Sequence, residues 1–328
     1  MLNAKITGIA SYVPDYVLTN DELSTMVDTN DEWITTRVGI KERRILKDES
    51  VGSSFMGTKA VDKLLAETAT PATDVDLVIC ATSNPDYRFP STASVIAHDC
   101  GAVNAYAYDI QAACAGFIVS LQAATAYVRS GMYKKVIVVA AEKMSSMTNY
   151  KDRSTCPLFG DAAAAVLVEP TEEENIGVID GVFHVDGIGL PHLLMKAGGS
   201  ARPASHATVD ADEHYVYQEG RAVYKHAVTD MLTSSQDVMK RNGLTVDNID
   251  WFIPHQANLR IIEAVGDRLG IANEKVLVNI EHYGNTSAAS IPLCLDENKG
   301  KLKKGDKIVL TAFGAGFTWG AMYIVWGF

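Results

Sequence analysis

The chain has few cysteines, no long apolar run and no leader-like N-terminus. Its five cysteines form no C-x-x-C pair and are Cys80, Cys100, Cys114, Cys156 and Cys294. An odd number without paired spacing indicates neither a disulfide framework nor a zinc site and fits a reducing cytosol. No stretch approaches the ~20 apolar residues of a membrane span, and residues 1–14 lack the order of a secretory signal. We therefore expect a soluble cytoplasmic protein.

Basic residues are also in the minority. The formal net charge is −11, from 29 Lys and Arg against 40 Asp and Glu. Nucleic-acid-binding proteins usually carry a basic stripe, and anionic membranes attract basic surfaces, so the charge argues against both partners. An acidic partner would have to be met by a local basic patch. The 328 residues, of which 47% are hydrophobic, are enough for two domains or one duplicated domain.

Strand-like and helix-like stretches alternate along the chain, and the second half repeats the order of the first. Three landmarks recur at separations of 172 to 174 residues: Gly8 and Gly181, residues 76–79 and 250–253, and residues 135–138 and 307–310. Recurrence at nearly one offset indicates an internal duplication rather than chance among Val- and Ile-rich runs. We therefore predict an α/β fold with halves 1–172 and 173–328.

Three local predictions concern the segments between these landmarks. Residues 53–67 are predicted to form a helix. Residues 39–44 read as a polar turn. Residues 190–216 are rich in Gly, Ala, His and Asp and lack strong periodicity, so they are predicted to form a loop or flap.

The segment Gln111–Phe117 places Cys114 among small residues between a strand-like and a helix-like stretch. Helical spacing of apolar residues begins at Phe117. The sharp turn puts the sulfur at a helix N-terminus, where unpaired N–H groups and the helix dipole favour negative charge. We therefore expect a lowered pKa and a nucleophilic thiolate. The alternative is a small buried cysteine on a packed helix.

Two more polar residues lie at the ends of predicted elements. His255 follows an apolar run, in Pro254–Asn258, and Asn285 lies in a small-residue turn before a helix. Together with Cys114 they could supply a nucleophile, an imidazole that handles a proton or a hydrogen bond, and a fixed amide donor. Individually, the histidine could be a satisfied interior residue and the asparagine a helix cap.

Three motifs together are more specific than any single residue. The segments 109–117 (DIQAACAGF), 254–258 (PHQAN) and 284–290 (GNTSAAS) resemble the active-site motifs of β-ketoacyl-acyl-carrier-protein synthase III, of the thiolase superfamily. The resemblance spans nearly the whole chain and includes residues 28–37 (DTNDEWITTR), 159–161 (FGD) and 313–320 (FGAGFTWG). It implies a duplicated five-layer αβαβα fold and a homodimer.

The resemblance also implies an acyltransferase reaction in two halves. Cys114 attacks the thioester of an acyl-CoA primer, and CoA leaves. Malonyl-acyl-carrier protein then loses carbon dioxide, and its enolate attacks the acyl-Cys carbonyl, which is the first condensation of fatty acid synthesis. The backbone N–H groups of Cys114 and Ala315 would stabilise the tetrahedral intermediate. His255 and Asn285 would stabilise the enolate, and no metal or redox cofactor is needed.

Further roles follow only from the resemblance. Trp33 and Arg153 would clasp the adenine of coenzyme A from its two sides. Arg37 would contact its phosphates, and Asn258 would hydrogen-bond its pantetheine arm. Carrier-protein docking would use Lys225, Arg260 and Arg268. Phe159 would line the acyl pocket, and Phe89 would reach across the dimer interface to end the partner's pocket. Ala315 stands where the family more often has glycine, which would matter if that position required a positive φ.

Three other functions remain open. The first is a related condensing enzyme of secondary metabolism or one that uses malonyl-CoA. The second is an acyl-thioester hydrolase, in which water replaces the carbon nucleophile. The third is a catalytically silent acyl-CoA-binding subunit, which would have no physical need for Cys114, His255 and Asn285 together.

Overall fold

The computed structural model describes residues 2–328, which form thirteen strands and ten α-helices. The strands are β1 (Asn3–Tyr12), β2 (Val17–Thr19), β3 (Glu42–Arg44), β4 (Leu77–Ala81), β5 (Tyr106–Ile110), β6 (Val136–Glu142), β7 (Ala162–Thr171), β8 (Gly177–Val185), β9 (Leu193–Met195), β10 (Val216–Gln218), β11 (Trp251–Pro254), β12 (Lys307–Gly314) and β13 (Thr318–Val325). The helices are α1 (Asn20–Leu23), α2 (Asp31–Val38), α3 (Ser53–Glu67), α4 (Thr92–Asp99), α5 (Gly116–Arg129), α6 (His206–Asp210), α7 (Gly220–Arg241), α8 (Leu259–Leu269), α9 (Ile280–Tyr283) and α10 (Ser290–Asn298).

Two mixed sheets with the same connectivity form the frame of the molecule. The first has the order β1-β7-β6-β4-β5, and the second has the order β8-β13-β12-β11 when read from its corresponding edge. Beyond β11, Val276 forms a parallel bridge with Phe252, in the position that β5 takes in the first sheet. The repeated order agrees with the predicted duplication, and the division at residues 172 and 173 stays a prediction.

The sheets and helices stack as five layers. Helices α3 and α4 cover the outer face of the first sheet. Helix α7 covers that of the second, and α8 packs beside α7 and shares a buried cluster with the sheet. Between the sheets lie α5 and α10, whose apolar residues share one buried cluster with both sheets. Strand β4 (LVICA) is buried along its whole length, as expected for a central strand covered by helices on both faces. This αβαβα arrangement is the predicted fold class.

The local predictions had mixed outcomes. The helix at residues 53–67 is confirmed by α3. The polar turn at 39–44 is wrong in part, because residues 42–44 form β3 and pair with β2. The segment 190–216 is more ordered than a loop, since β9 pairs with β10 and α6 lies between them. Burial of Arg43 explains the first difference: its guanidinium donates hydrogen bonds to Asn20 and to backbone carbonyls, which holds β3 in place.

Two further observations concern the chain as a whole. No helix within residues 2–328 combines the length and the apolar character needed to cross a membrane. All five cysteines are free thiols.

Candidate active site

Cys114 lies on a sharp turn between β5 and α5. The turn is a 3-10 segment, Ala113–Ala115, and Ala113 adopts a φ of 45°. Gly314, at the end of β12, packs against this turn so closely that an added Cβ would lie 2.7 Å from the backbone nitrogen of Cys114. The small residues that flank the cysteine in the sequence therefore allow one chain segment to pass directly over the other. This packing fixes the sulfur at the start of α5.

Two cavities meet at Cys114. The entrance cavity, of about 450 Å³, is lined by Cys114, His255 and Asn285 and, toward solvent, by Trp33 and Arg37. The inner cavity, of about 700 Å³, is lined by Cys114 and by mostly apolar residues that include Met144, Met147 and Phe159. The sulfur is thus accessible from a charged opening on one side and from an apolar space on the other. Such an arrangement suits a nucleophile that receives an acyl chain from a charged carrier.

His255 follows β11 and is buried. Its backbone N–H donates to Thr311, and its Nδ1 lies 2.7 Å from the hydroxyl oxygen of Ser290. That hydroxyl also accepts from the backbone N–H of Gln256 at 3.3 Å, and we assign its own hydrogen to the contact with Nδ1. The proton of the neutral ring is therefore assigned to Nε2. Burial lowers the pKa of His255 to about 3, which keeps the ring neutral and makes Nε2 a hydrogen-bond donor.

Asn285 is held by its backbone and by one end of its amide. Its backbone N–H donates to Leu158 at 2.7 Å, and its carbonyl accepts from Gly160 at 3.1 Å. The side-chain oxygen accepts from the backbone N–H of Ser287 at 2.8 Å, which resembles the helix-capping alternative. The amide nitrogen is left as a donor, and Asn285 lines both cavities. His255 and Asn285 thus present two neutral N–H donors beside the sulfur.

The backbone amides of Cys114 and Ala315 form a second pair of donors. Among the hydrogen bonds within residues 2–328, neither amide has a partner. Ala315 begins the three-residue connection between β12 and β13 and lines the inner cavity. The positive φ of this connection, 143°, falls on Gly316. Alanine at position 315 is therefore compatible with the turn, and its amide is available to bind an oxyanion.

The thiol of Cys114 differs from the prediction. Burial raises the pKa of Cys114 to about 12, and the charge of Glu142 adds to the effect, while a hydrogen bond with Ser287 opposes it. The expectation of a thiolate in the resting protein is wrong for this reason: the apolar surroundings and a nearby carboxylate outweigh the helix N-terminus. The raised pKa makes the neutral thiol the predominant form of Cys114 before substrate binds.

The predicted CoA contacts lie around the mouth of the entrance cavity. The guanidinium carbons of Arg153 and Arg37 lie 5.1 and 5.8 Å from the centre of the Trp33 ring. An aromatic base between Trp33 and Arg153 needs about 7 Å, since each face requires ~3.5 Å. Arg153 would therefore move, and it is exposed and paired only with the exposed Asp28. Asn258 caps α8 through its side-chain oxygen and lines the cavity.

The predicted docking residues are exposed on two adjacent helices. Lys225 lies on α7, and Arg260 and Arg268 lie on α8. Of these three, Arg260 lines the entrance cavity, together with Arg221, which the sequence analysis did not select. Position 268 follows Arg260 by two helical turns, which places it about 12 Å further along the axis. Exposed Glu263 and Asp267 lie between Arg260 and Arg268 on α8, so the basic residues at the cavity itself are Arg260 and Arg221.

Phe159 and Phe89 occupy very different surroundings. Phe159 is buried, bridges to Asn285 and lines the inner cavity. Phe89 is 85% exposed on the loop before α4 and does not line the cavity of its own chain. Its role against a partner subunit stays a prediction.

Three residues near the reacting atoms were missed by the sequence analysis as individual candidates. Ser290 contacts His255, Ser287 contacts Cys114, and Glu142 accepts a hydrogen bond from Ser287. Both serines stand inside the quoted motif 284–290, so the signal was there. Glu142 ends an otherwise apolar strand, and a carboxylate in that position is a signal of a buried polar contact.

Comparison with known proteins now decides the family. Residues 108–187 match the family model for 3-oxoacyl-[acyl-carrier-protein (ACP)] synthase III, and residues 239–326 match its C-terminal model. The chain belongs to the β-ketoacyl-acyl-carrier-protein synthase III family. It is 58% identical, over 100% of this chain and 97% of the other, to beta-ketoacyl-[acyl-carrier-protein] synthase III 2 of Bacteroides thetaiotaomicron.

Further relatives extend the same result. Identity to beta-ketoacyl-[acyl-carrier-protein] synthase III of Porphyromonas gingivalis strain W83 is 56%, over 100% of this chain and 97% of the other. The crystal structure of 3-oxoacyl-[acyl-carrier-protein] synthase III from Aquifex aeolicus VF5 superposes with a TM-score of 0.90 at 43% identity, covering 98% of this chain and 100% of that one. The fold is therefore the thiolase-like fold of these synthases. Within residues 2–328, no group of three or more His, Cys, Asp or Glu could hold a metal ion.

Proposed function

We propose that this enzyme condenses an acyl-CoA primer with malonyl-acyl-carrier protein, which gives β-ketoacyl-acyl-carrier protein, CoA and CO2 and initiates fatty acid synthesis. One observation carries the proposal: Cys114, His255 and Asn285 converge where the charged entrance meets the apolar cavity. The relatives named as synthases of this family support it.

The first half-reaction transfers the primer to Cys114. The sulfur attacks the thioester carbon, and the carbonyl oxygen develops negative charge. The amides of Cys114 and Ala315 donate to that oxygen, and one such donor is typically worth about 2.7–4 kcal/mol. The carbon–sulfur bond to CoA then breaks, and the acyl chain lies in the inner cavity beside Phe159.

The second half-reaction forms the new carbon–carbon bond. The malonyl thioester enters through the same entrance, and loss of CO2 places negative charge on its thioester oxygen. Nε2 of the neutral His255 and the amide nitrogen of Asn285 donate to this enolate oxygen. The enolate carbon attacks the acyl-Cys114 carbonyl, and the Cys114 thiolate leaves. The thiol and these four N–H donors supply the chemistry, so we propose that no metal or redox cofactor takes part.

Partner contacts complete the proposal. The patch of Lys225, Arg260 and Arg268 would attract the acidic carrier protein, and Trp33 with Arg153 would clasp the adenine of CoA, with Arg37 on its phosphates and Asn258 on its pantetheine arm. Opposite charge raises association rates and orients the partner more than it adds affinity. The five free cysteines support a cytoplasmic location.

We also propose a homodimer. Strand β5 forms one edge of the first sheet, with Tyr106 62% exposed, and Phe89 is exposed nearby in the sequence. An uncovered edge strand is a template for pairing with a second copy. Phe89 would then close the partner's inner cavity, so Phe89→Ala should admit longer primers. An unchanged primer range in this variant, or a monomer by ultracentrifugation, would contradict the proposal.

Intact-protein mass spectrometry tests the reaction. The enzyme and Cys114→Ala are mixed with a panel of acyl-CoAs, and malonyl-acyl-carrier protein is added second. We expect an acyl adduct on the wild type alone, stable in water and discharged by the malonyl donor, and the best-loaded chain identifies the primer. Failure to form an adduct refutes the condensing function, and decay without donor favours the acyl-thioester hydrolase. Discharge by malonyl-CoA as readily as by the carrier protein would favour the related condensing enzymes.

A further inference from the structure

Glu142 is a buried carboxylate next to the active site that the mechanism above does not use. It ends β6 and is fully buried. Its two oxygens accept from the backbone N–H of Ser83 at 3.1 and 3.0 Å and from three hydroxyls, those of Thr82, Ser83 and Ser287, at 2.9 to 3.3 Å. All of these donors are neutral. Burying a carboxylate without a neighbouring cation costs folding free energy, which indicates that Glu142 has a function at this position.

No basic group compensates this charge. Within residues 2–328, Glu142 is in ion-pair contact with no Lys, Arg or His. The neighbouring Lys143 turns away and donates to two backbone carbonyls. Burial raises the pKa of two nearby thiols, Cys80 of β4 and Cys114, and the charge of Glu142 adds to both shifts. Asp109 also raises the pKa of Cys80.

Ser287 connects the carboxylate to the nucleophile. Its hydroxyl donates to Oε1 of Glu142 at 2.9 Å, and hydrogen bonding by the same side chain opposes the rise in the pKa of Cys114, with which it lines the inner cavity. Its backbone is fixed, because its N–H donates to Asn285 and its φ is 51°. A hydroxyl is both donor and acceptor. The chain Cys114–Ser287–Glu142 can therefore be hydrogen-bonded with the proton at either end.

At both ends of this hydrogen-bonded series, Cys114 and Glu142, the charged form is disfavoured. Burial raises the pKa of Glu142 to about 7 and that of Cys114 to about 12. Two negative charges joined through one hydroxyl would repel each other strongly, so the two groups titrate as a coupled pair. Above about pH 7 and below the second ionisation, the pair then carries a single negative charge, on the carboxylate or on the sulfur.

We propose that Glu142 is a positioning residue that shares one proton with Cys114 through Ser287, accepting it when the sulfur becomes a thiolate and returning it afterwards. This inference rests on the proposed function for its place in the reaction. In the first half, the thiolate sulfur bonds to the acyl carbon, CoA leaves as a thiolate that takes a proton from water, and Glu142 keeps the proton of Cys114. In the second half, the thiolate of Cys114 leaves the acyl carbon and takes that proton back.

The sharing predicts an unusual pH profile for the nucleophile. Below about pH 7, the thiolate form of the pair increases with pH in the ordinary way. Above the pKa of Glu142, the pair has already lost one proton, and moving the remaining proton from the sulfur to the carboxylate releases none to solvent. The population of the thiolate form therefore stays constant with pH. The thiolate population rises again only when both groups ionise. The wild type should therefore show a plateau from about pH 7 upward, whose width in pH units measures the coupling between the two groups.

Alkylation by iodoacetamide tests this prediction without any substrate. The rate at Cys114 is followed from pH 5.5 to 9.5 by peptide mass spectrometry, which separates it from the other cysteines. We expect a plateau of at least one pH unit in the wild type. In Glu142→Gln the plateau should disappear, and the rate should rise roughly tenfold per pH unit and exceed the wild-type rate above pH 8. Identical profiles for the two proteins would overturn the proposal.

Two further variants guard against a merely structural effect. Ser287→Ala removes the linking hydroxyl and leaves the carboxylate, so the plateau should narrow; a wild-type plateau in this variant refutes the link. Cys80→Ala removes the other thiol that faces Glu142, and its plateau should match the wild type; loss of the plateau would assign the coupling to Cys80. Because alkylation needs no acyl-CoA, a failure of the condensing function and a failure of proton sharing give separate results.

Discussion

The close approach of Gly314 to the Cys114 turn makes one substitution especially informative. A Cβ at position 314 would lie 2.7 Å from the backbone nitrogen of Cys114 and 3.1 Å from the carbonyl oxygen of Ala112. Both neighbours are backbone atoms that cannot rotate away. Since non-bonded heavy atoms need ~3.5 Å or more, Gly314→Ala must displace the turn by about 1 Å. The displaced group is one of the two amides proposed to bind the oxyanion.

The size of the effect follows from that displacement. Loss of one oxyanion donor lowers the rate of acylation by acyl-CoA by about 10²- to 10³-fold. Overpacking costs about 1–3 kcal/mol of folding free energy. Under the proposed function, decarboxylation of the malonyl donor uses His255 and Asn285 instead, so it should fall by less than about fivefold, that is by under 1 kcal/mol.

The assay compares the two half-reactions in the same variant. Single-turnover acylation is measured by mass spectrometry, decarboxylation by CO2 release, and folding by thermal unfolding. Gly300→Ala is the matched control, because nothing lies within 4 Å of a Cβ there, and it should behave as the wild type in all three. Wild-type acylation by Gly314→Ala, or an equal fall in both half-reactions, would refute the reasoning.

Three further predictions concern the remaining contacts. Ser290→Ala removes the hydrogen bond that fixes the His255 tautomer, so decarboxylation should fall about five- to tenfold, as expected for ~1 kcal/mol, with acylation unchanged; equal losses in both steps would contradict the assignment. Trp33→Ala removes the base-stacking surface, worth ~1–3 kcal/mol, and should raise KM for acyl-CoA at an unchanged maximal acylation rate; a fall in that rate alone would argue against stacking. The double variant Lys225→Glu and Arg260→Glu should raise KM for the malonyl-carrier protein most strongly at low salt, and an effect independent of salt would exclude charge attraction.

Much of this fold and site was predictable from the sequence. The strand-like landmarks at residues 76–79 and 135–138 overlap β4 and β6, because burial on both faces of a central strand requires apolar runs. The motifs around Cys114, His255 and Asn285 predicted a candidate catalytic set, since each combines a chemical group with the small residues of a tight turn. Their convergence on one cavity required the structure, because the three segments are far apart in the sequence.

The errors have a common physical origin. The pKa of Cys114 depends on burial and on a carboxylate 28 residues away in sequence, neither of which a local motif encodes. The short strand β3 is stabilised by Arg43, whose partners include Pro157, a residue more than 100 positions distant. Local patterns predict local structure, whereas electrostatics and edge pairing depend on which segments the fold brings together.

The meeting of two cavities at one sulfur has a consequence for flux. Under the proposed function, both thioesters use the entrance cavity in turn, so each substrate is also a competitor for the enzyme form that awaits the other. A surplus of malonyl donor occupies the free enzyme, and a surplus of primer occupies the acylated one. Throughput then depends on the ratio of the two pools. A compound lodged in the entrance would arrest both halves of the cycle, whereas one confined to the inner cavity would oppose only the primer chain.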